Sequence, residues 1–247
     1  MLKGPRAAWL LLLAAPSVAQ MAAFRDLTSG WRPPSDHISV PQSCDKPQST
    51  IADDDEARAA GAKKTTDLEL TIVSTTPAAL GIDDEFTAIV RLKNVGSQPV
   101  MVPAITDGEQ IMRTSAEGNE ETYEVGDITF RLATDPKHTA PVFLSSAGAL
   151  FANPNDASSY VTLKPGNWLE LKLRGAVQCG AAQCLGGIQP DNKAVLSAWW
   201  YQRLLTHRIS GCEETHGSHN IRELDSLPFS VEVRNPPAKT SSMARKF

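Results

Sequence analysis

The sequence predicts an all-β protein: an antiparallel β-sandwich set behind an N-terminal export signal and a flexible arm. Three observations carry that expectation. Apolar and polar residues alternate with period two in several separate segments between Asp67 and Arg234. Clusters of Pro, Gly and Asn punctuate those segments, while helical periodicity is scarce. Ahead of them stand a basic start, a leucine run and a small-residue exit.

The export signal comes first in the chain. Lys3 and Arg6 give a positive start, and Ala7 to Ala15 is apolar with Leu10, Leu11, Leu12 and Leu13 at its centre. Pro16 breaks the run, and Ser17-Val18-Ala19 places small residues where signal peptidase reads them. Cleavage after Ala19 leaves Gln20 first. The run is far shorter than the ~20 residues of a membrane-spanning helix, and no other segment is apolar enough to span a bilayer. No cysteine follows it to carry a lipoprotein anchor. Residues 1–19 therefore read as a signal peptide, and the mature chain as soluble, secreted or periplasmic.

Residues 20–66 read as a largely irregular linker or arm. Pro33-Pro34, Pro41 and Pro47 remove backbone donors and fix φ, which disfavours strand pairing. A short helix suits Asp53 to Ala62, where acidic residues stand at the N-terminal end. The run Asp53-Asp54-Asp55-Glu56 lacks the spaced ligands of a calcium loop and fits a solvated helix start.

The strands follow in order. Leu68, Leu70 and Ile72 alternate with Asp67, Glu69 and Thr71; Phe86, Ala88, Val90 and Leu92 alternate with Thr87, Ile89, Arg91 and Lys93. Such alternation describes a strand with one face buried. Asn94-Val95-Gly96-Ser97 turns the chain, and Pro99 precedes a strand over Val100 to Ile105. Ile128, Phe130 and Leu132 alternate next, followed by shorter segments at Val142 to Leu144 and Tyr160 to Leu163. Lys164-Pro165-Gly166-Asn167 is a turn, and Leu169, Leu171 and Leu173 alternate after it. Ala194 to Gln202 is apolar on both faces, as a central strand would be. Phe229, Val231 and Val233 close the domain, and Asn235-Pro236-Pro237 stops the last strand. Roughly seven to nine strands result, and each half-apolar sheet needs a second sheet as cover. The sandwich is expected over residues 67–235 and a disordered tail over 236–247; a closed barrel is the alternative.

Three segments carry a family resemblance. Glu85 to Val100 (EFTAIVRLKNVGSQPV) resembles the second-strand signature of bacterial immunoglobulin-like domains, in which a strand ends in Asn, turns through small residues and restarts at Pro-Val. Leu163 to Leu171 resembles their Pro-Gly turn before a strand, and Leu224 to Val233 their final strand. The chain is similar in this way to intracellular-proteinase-inhibitor-like domains over roughly residues 67–234. The resemblance implies an immunoglobulin-like sandwich and, by extension, protease inhibition, although no inhibitory residue maps onto this chain. Export and cysteines set this chain apart from that family.

Four cysteines in an exported chain read first as disulfide partners. Cys179 and Cys184 flank one loop, and Cys212 lies beyond the tryptophan strand. A strand of nine residues spans ~30 Å, whereas bridged Cα atoms sit ~5–6 Å apart. Cys179 with Cys184 and Cys44 with Cys212 is the expected pairing; the other two connectivities require loops that fold back along the sheet. A metal site is the competing reading, with Cys212, His216 and His219 in one loop and Asp225 or Glu213 adding an oxygen.

The net charge of −4 argues against the basic face of a nucleic-acid binder. There is no Gly-x-Ser-x-Gly elbow, no phosphate-binding Gly-x-x-x-x-Gly-Lys and no His-Glu-x-x-His. Trp199 and Trp200 are candidate contacts for a sugar or peptide, but in an alternating strand one of them must point into the core. The expectation is an exported, non-catalytic binding or structural module without a cofactor, meeting a protein or glycan outside the cytoplasm. A secreted metal-dependent protein or enzyme using the histidine loop is the alternative.

Overall fold

A computed structural model describes residues 19–30, 32–33, 38–39, 41–44, 48–53, 66–81, 84–117, 119–133, 142–177 and 193–234. The signal segment before Ala19, the proposed helix after Asp53, Cys179, Cys184 and the C-terminal tail lie outside these residues. The chain is predominantly β. In order come β1 (Met21–Asp26), β2 (Gln48–Asp53), β3 (Leu68–Thr76), β4 (Ala79–Gly81) and β5 (Glu85–Asn94). Then follow β6 (Val100–Pro103), helix α1 (Gly108–Ser115), β7 (Ala116–Glu117), β8 (Glu120–Ala133) and β9 (Val142–Ala152). The last strands are β10 (Tyr160–Leu163), β11 (Trp168–Ala176), β12 (Lys193–Ser210), β13 (Glu213–Asp225) and β14 (Phe229–Arg234).

A four-stranded sheet runs β1-β11-β5-β3, and β10 pairs with β6 in a small sheet of its own. The eight-stranded sheet is organised around β12, which pairs antiparallel with β8, β13 and β14; β2 and β4 add at one side, and β9 and β7 pair with β8. Both larger sheets contribute to one apolar core. Leu70, Phe86, Val90, Leu92, Leu169 and Leu171 come from the smaller one, and Ile128, Phe130, Leu132, Leu196, Trp200 and Val231 from the larger. The alternating segments of the sequence are the strands that build this β-sandwich, and β5 alternates buried and half-buried from Phe86 to Asn94.

Asn94 shows how a polar residue is accommodated there. It is fully buried, its Nδ2 donates to the carbonyls of Gln98 (2.7 Å) and Leu163 (2.8 Å), and its Oδ1 accepts from the Gly96 N–H (2.9 Å). The turn after β5 is thereby locked to the end of β10, since a buried amide must be hydrogen-bonded. Another polar chain crosses the sheets. The Tyr160 phenol bonds Glu124, Gln202 Nε2 donates to Glu124 Oε2 at 2.7 Å, and Arg222 Nη1 donates to the Met101 carbonyl at 3.1 Å. Strands β6 and β10 are held against β8, β12 and β13 by these bonds.

Three expectations need correction. The segment 20–66 contributes two strands: β1 pairs with β11 and β2 with β13. Neither announces itself in sequence, because each adds to a sheet by backbone hydrogen bonds and β1 is largely exposed. Those two pairings, with that of β4 on β14, are parallel, so the sandwich is not purely antiparallel. The region after Cys212 is strand β13, not a loop; it is half-exposed along most of its length and so shows no apolar alternation. Helix α1 is a short segment whose Ile111 is buried, in keeping with the scarce helical periodicity of the sequence.

Candidate functional site

Strand β12 has two faces, and they separate its aromatic residues. Its even-numbered residues Leu196, Ala198 and Trp200 enter the main core, and Trp200 is fully buried. Gly126, paired with Gln202 on the neighbouring strand, makes room for that indole, because a Cβ there would meet the Trp200 six-membered ring. The odd-numbered residues point the other way. On that outer face the Arg131 guanidinium lies 4.6 Å from the Trp199 ring centroid, the Trp199 and Tyr201 rings are 5.3 Å apart, and Arg203 lies 5.2 Å from the Tyr201 ring. Arg203 is anchored by Asp127 at 2.7 Å, and the Tyr201 hydroxyl bonds Asn220. The two candidate tryptophans are thus separated: Trp200 is core, while Trp199 sits in a cation–aromatic–aromatic–cation stack.

Farther along the same face lies a second, smaller apolar core of Ile111, Val125, Ala149 and Phe151, with Ile105, Tyr123 and Leu205 against it. Beyond it, at the tip of the β12–β13 hairpin, is an imidazole–carboxylate cluster. His207 pairs across the ladders with His216 on one side and Glu121 on the other. Residues directly opposite share a face, so the three stand in one row. The His207 and His216 rings stack with centroids 4.3 Å apart and planes 10° from parallel. His207 Nε2 is 2.9 Å, and His216 Nε2 3.4 Å, from the same oxygen, Glu214 Oε1. On its other side, His207 Nδ1 is 3.5 Å from Glu121 Oε2, and Glu121 Oε1 accepts the Ile38 N–H at 2.9 Å. The Glu121 side chain is wholly buried, that of His207 is 5 % exposed, and that of His216 is 41 % exposed, so the cluster runs from interior to surface.

The expected trio of Cys212, His216 and His219 is not assembled. Cys212 is bonded to Cys44, which leaves no thiolate for a metal. His216 and His219 stand three residues apart on β13, opposite His207 and Leu204, and so project to opposite faces. The disulfide is the pairing that strand geometry favoured in sequence. It holds the arm where the Gln48 N–H donates to the Cys212 carbonyl at 3.1 Å and β2 begins to pair with β13.

Sequence reasoning missed His207, Glu214 and Glu121. A signal was present for the first two. Gly211-Cys212 forms a two-residue turn between Ser210 and Glu213, and Gly211 has the positive φ (63°) that such turns need. Counting outward from that turn pairs His207 with His216.

No family model matches the chain, and no curated protein does. Among solved structures, it has a TM-score of 0.25 and 9 % identity to the Pseudomonas fluorescens alkylpurine DNA glycosylase AlkC bound to DNA containing an abasic site analog. That match covers 67 % of this chain and 33 % of the glycosylase, so the chain spans about a third of its length. A second likeness, to AvmM, which catalyses macrocyclization in alchivemycin A biosynthesis, has a TM-score of 0.28 at 9 % identity, covering 71 % of this chain and 93 % of that one. Likenesses this slight carry no argument about activity.

Proposed function

We propose that this chain is an exported, non-catalytic binding module of immunoglobulin-like type, and that it meets its protein or glycan partner through the outer face of β12. The observation that carries the proposal is the stack of Arg131, Trp199, Tyr201 and Arg203 on the face turned away from the main core. Half-exposed aromatic rings offer large contact area at little conformational cost, and flanking guanidiniums supply forked donors for carboxylates or hydroxyls. The Cys44–Cys212 bond supports the exported setting, since such bonds persist in oxidising compartments. Among the described residues no helix is long and apolar enough to cross a membrane.

The test has two arms. N-terminal sequencing of the mature protein from its native host should read from Gln20. The immobilised mature protein should capture a partner from periplasmic extract, medium or a glycan array, and Trp199→Ala together with Tyr201→Ala should abolish that capture while leaving the disulfide formed. Capture unaffected by both substitutions overturns the assignment of the surface. Turnover of glycosides, esters or peptides by the purified protein overturns the non-catalytic reading.

A further inference from the structure

We propose that His207, Glu214 and His216 form a binding site for a late first-row divalent metal, with zinc the expected occupant. The inference is independent of the partner surface around Trp199 and uses other residues.

The donor set is the first argument. Two imidazole nitrogens and a carboxylate oxygen suit zinc, copper and nickel, whereas calcium and magnesium select all-oxygen sites. The spacing is the second. Ligands about 2.05 Å from a tetrahedral zinc lie about 3.3 Å from one another. Both imidazole Nε2 atoms converge on Glu214 Oε1, at 2.9 and 3.4 Å, and one ligand atom from each residue lies within 4.8 Å of the others. A small outward turn of the Glu214 carboxylate, which is a quarter exposed, makes room for the ion between them.

The third argument is the setting of His207. A metal-bound imidazole almost always offers its other ring nitrogen to a carboxylate, which fixes the ring and raises its basicity. Glu121 occupies that position, with Oε2 3.5 Å from His207 Nδ1, and is itself held by the Ile38 N–H. Rigidity is the fourth. All three ligands stand on one hairpin whose turn is tied to the arm by the disulfide, so little ordering remains when the ion binds. The half-exposed His216 leaves the outer side of the site open, and the fourth position falls to water or to a group brought by a partner.

The experiment uses the full mature chain with its disulfide intact, stripped with chelator and then titrated with Zn²⁺ by calorimetry and with Co²⁺ by visible absorption. The expected result is one ion per chain, with the intense d–d bands of a tetrahedral Co²⁺ site. His216→Ala and Glu214→Gln should each abolish the bands. Glu121→Gln should weaken binding by the roughly 10–100-fold that loss of such an outer carboxylate causes. His219→Ala, on the opposite face, should change nothing. Because Glu121 is buried and its variant risks misfolding, the decision rests on His216→Ala, with circular dichroism confirming its fold. The proposal is overturned if no stoichiometric binding occurs, or if His216→Ala and Glu214→Gln bind as the unaltered chain does; the cluster is then held by hydrogen bonds between imidazole and carboxylate alone.

Discussion

At the scale of single residues, the tightest constraint is the pairing of Trp200 with Gly126. The indole lies over a backbone with no side chain, and the two neighbouring strands approach it from positions fixed by the ladders of β8, β12 and β13. A methyl group at position 126 must push the ring, and the ring has nowhere to go, because Trp200 is fully buried in a core that is packed on every side. Gly126→Ala should therefore destabilise the protein by about 1–3 kcal/mol, as overpacking does, even though Ala is the better strand residue. Urea unfolding followed by tryptophan fluorescence checks this; an unchanged midpoint would show that the strand moves aside. The sequence declared that one of Trp199 and Trp200 is interior but not which one. The choice depends on register, and register is set by residues such as Gly126 that carry no hydrophobic signal of their own.

At the scale of elements, legibility follows burial. Strands β3, β5, β11 and β14 each bury one face, and that face is written as alternating Leu, Val, Ile and Phe. Strand β1 is largely exposed, β13 is half-exposed along most of its length and β2 lies at a sheet edge, so backbone pairing fixes them and no apolar alternation marks them. The imidazole–carboxylate cluster is hard to read for another reason: its members come from three strands, β8, β12 and β13, and converge only once the register of the ladders is known. The small sheet of β6 and β10 is held in a further way, by the polar chain through Tyr160, Glu124 and Gln202. Burial first, and then the Glu124 carboxylate, raise the Tyr160 phenol above its ordinary value of 10.0. The folded state thus keeps that proton more tightly than the unfolded chain does. The resulting stability is present in full below the unfolded value and is lost as pH climbs through the folded one. The urea midpoint should fall as pH rises beyond about 10, together with a phenolate absorbance step. Tyr160→Phe should shrink that step by one phenolate of the chain's three and flatten the decline. A decline as steep in the variant would assign it to other groups.

At the scale of the whole molecule, the Cys44–Cys212 bond joins the arm to the far end of the large sheet across 168 residues of sequence. That span contains most of the sandwich, so the bond constrains the unfolded chain far more than the folded one. The native pairings of β2 with β13, and of the Gln48 N–H with the Cys212 carbonyl, already bring the two cysteines together without it. Removing the bond hence costs little in the native state and restores a large freedom to the denatured state. The loop-closure estimate for this length is about 5 kcal/mol at 25 °C, a ceiling because residual structure in the denatured chain reduces it. For a chain of this size that corresponds to roughly 10–20 °C in thermal midpoint. The variant Cys44→Ser/Cys212→Ser should fold to the same far-ultraviolet circular dichroism spectrum with a midpoint lowered within that range. Its urea m-value should rise, because the uncrosslinked denatured chain exposes more surface. A lowered midpoint with an unchanged m-value would place the effect in the native state, with β2 and the hairpin tip losing their packing. A fold that persists with an unchanged midpoint would mean that the denatured chain already holds these two segments together.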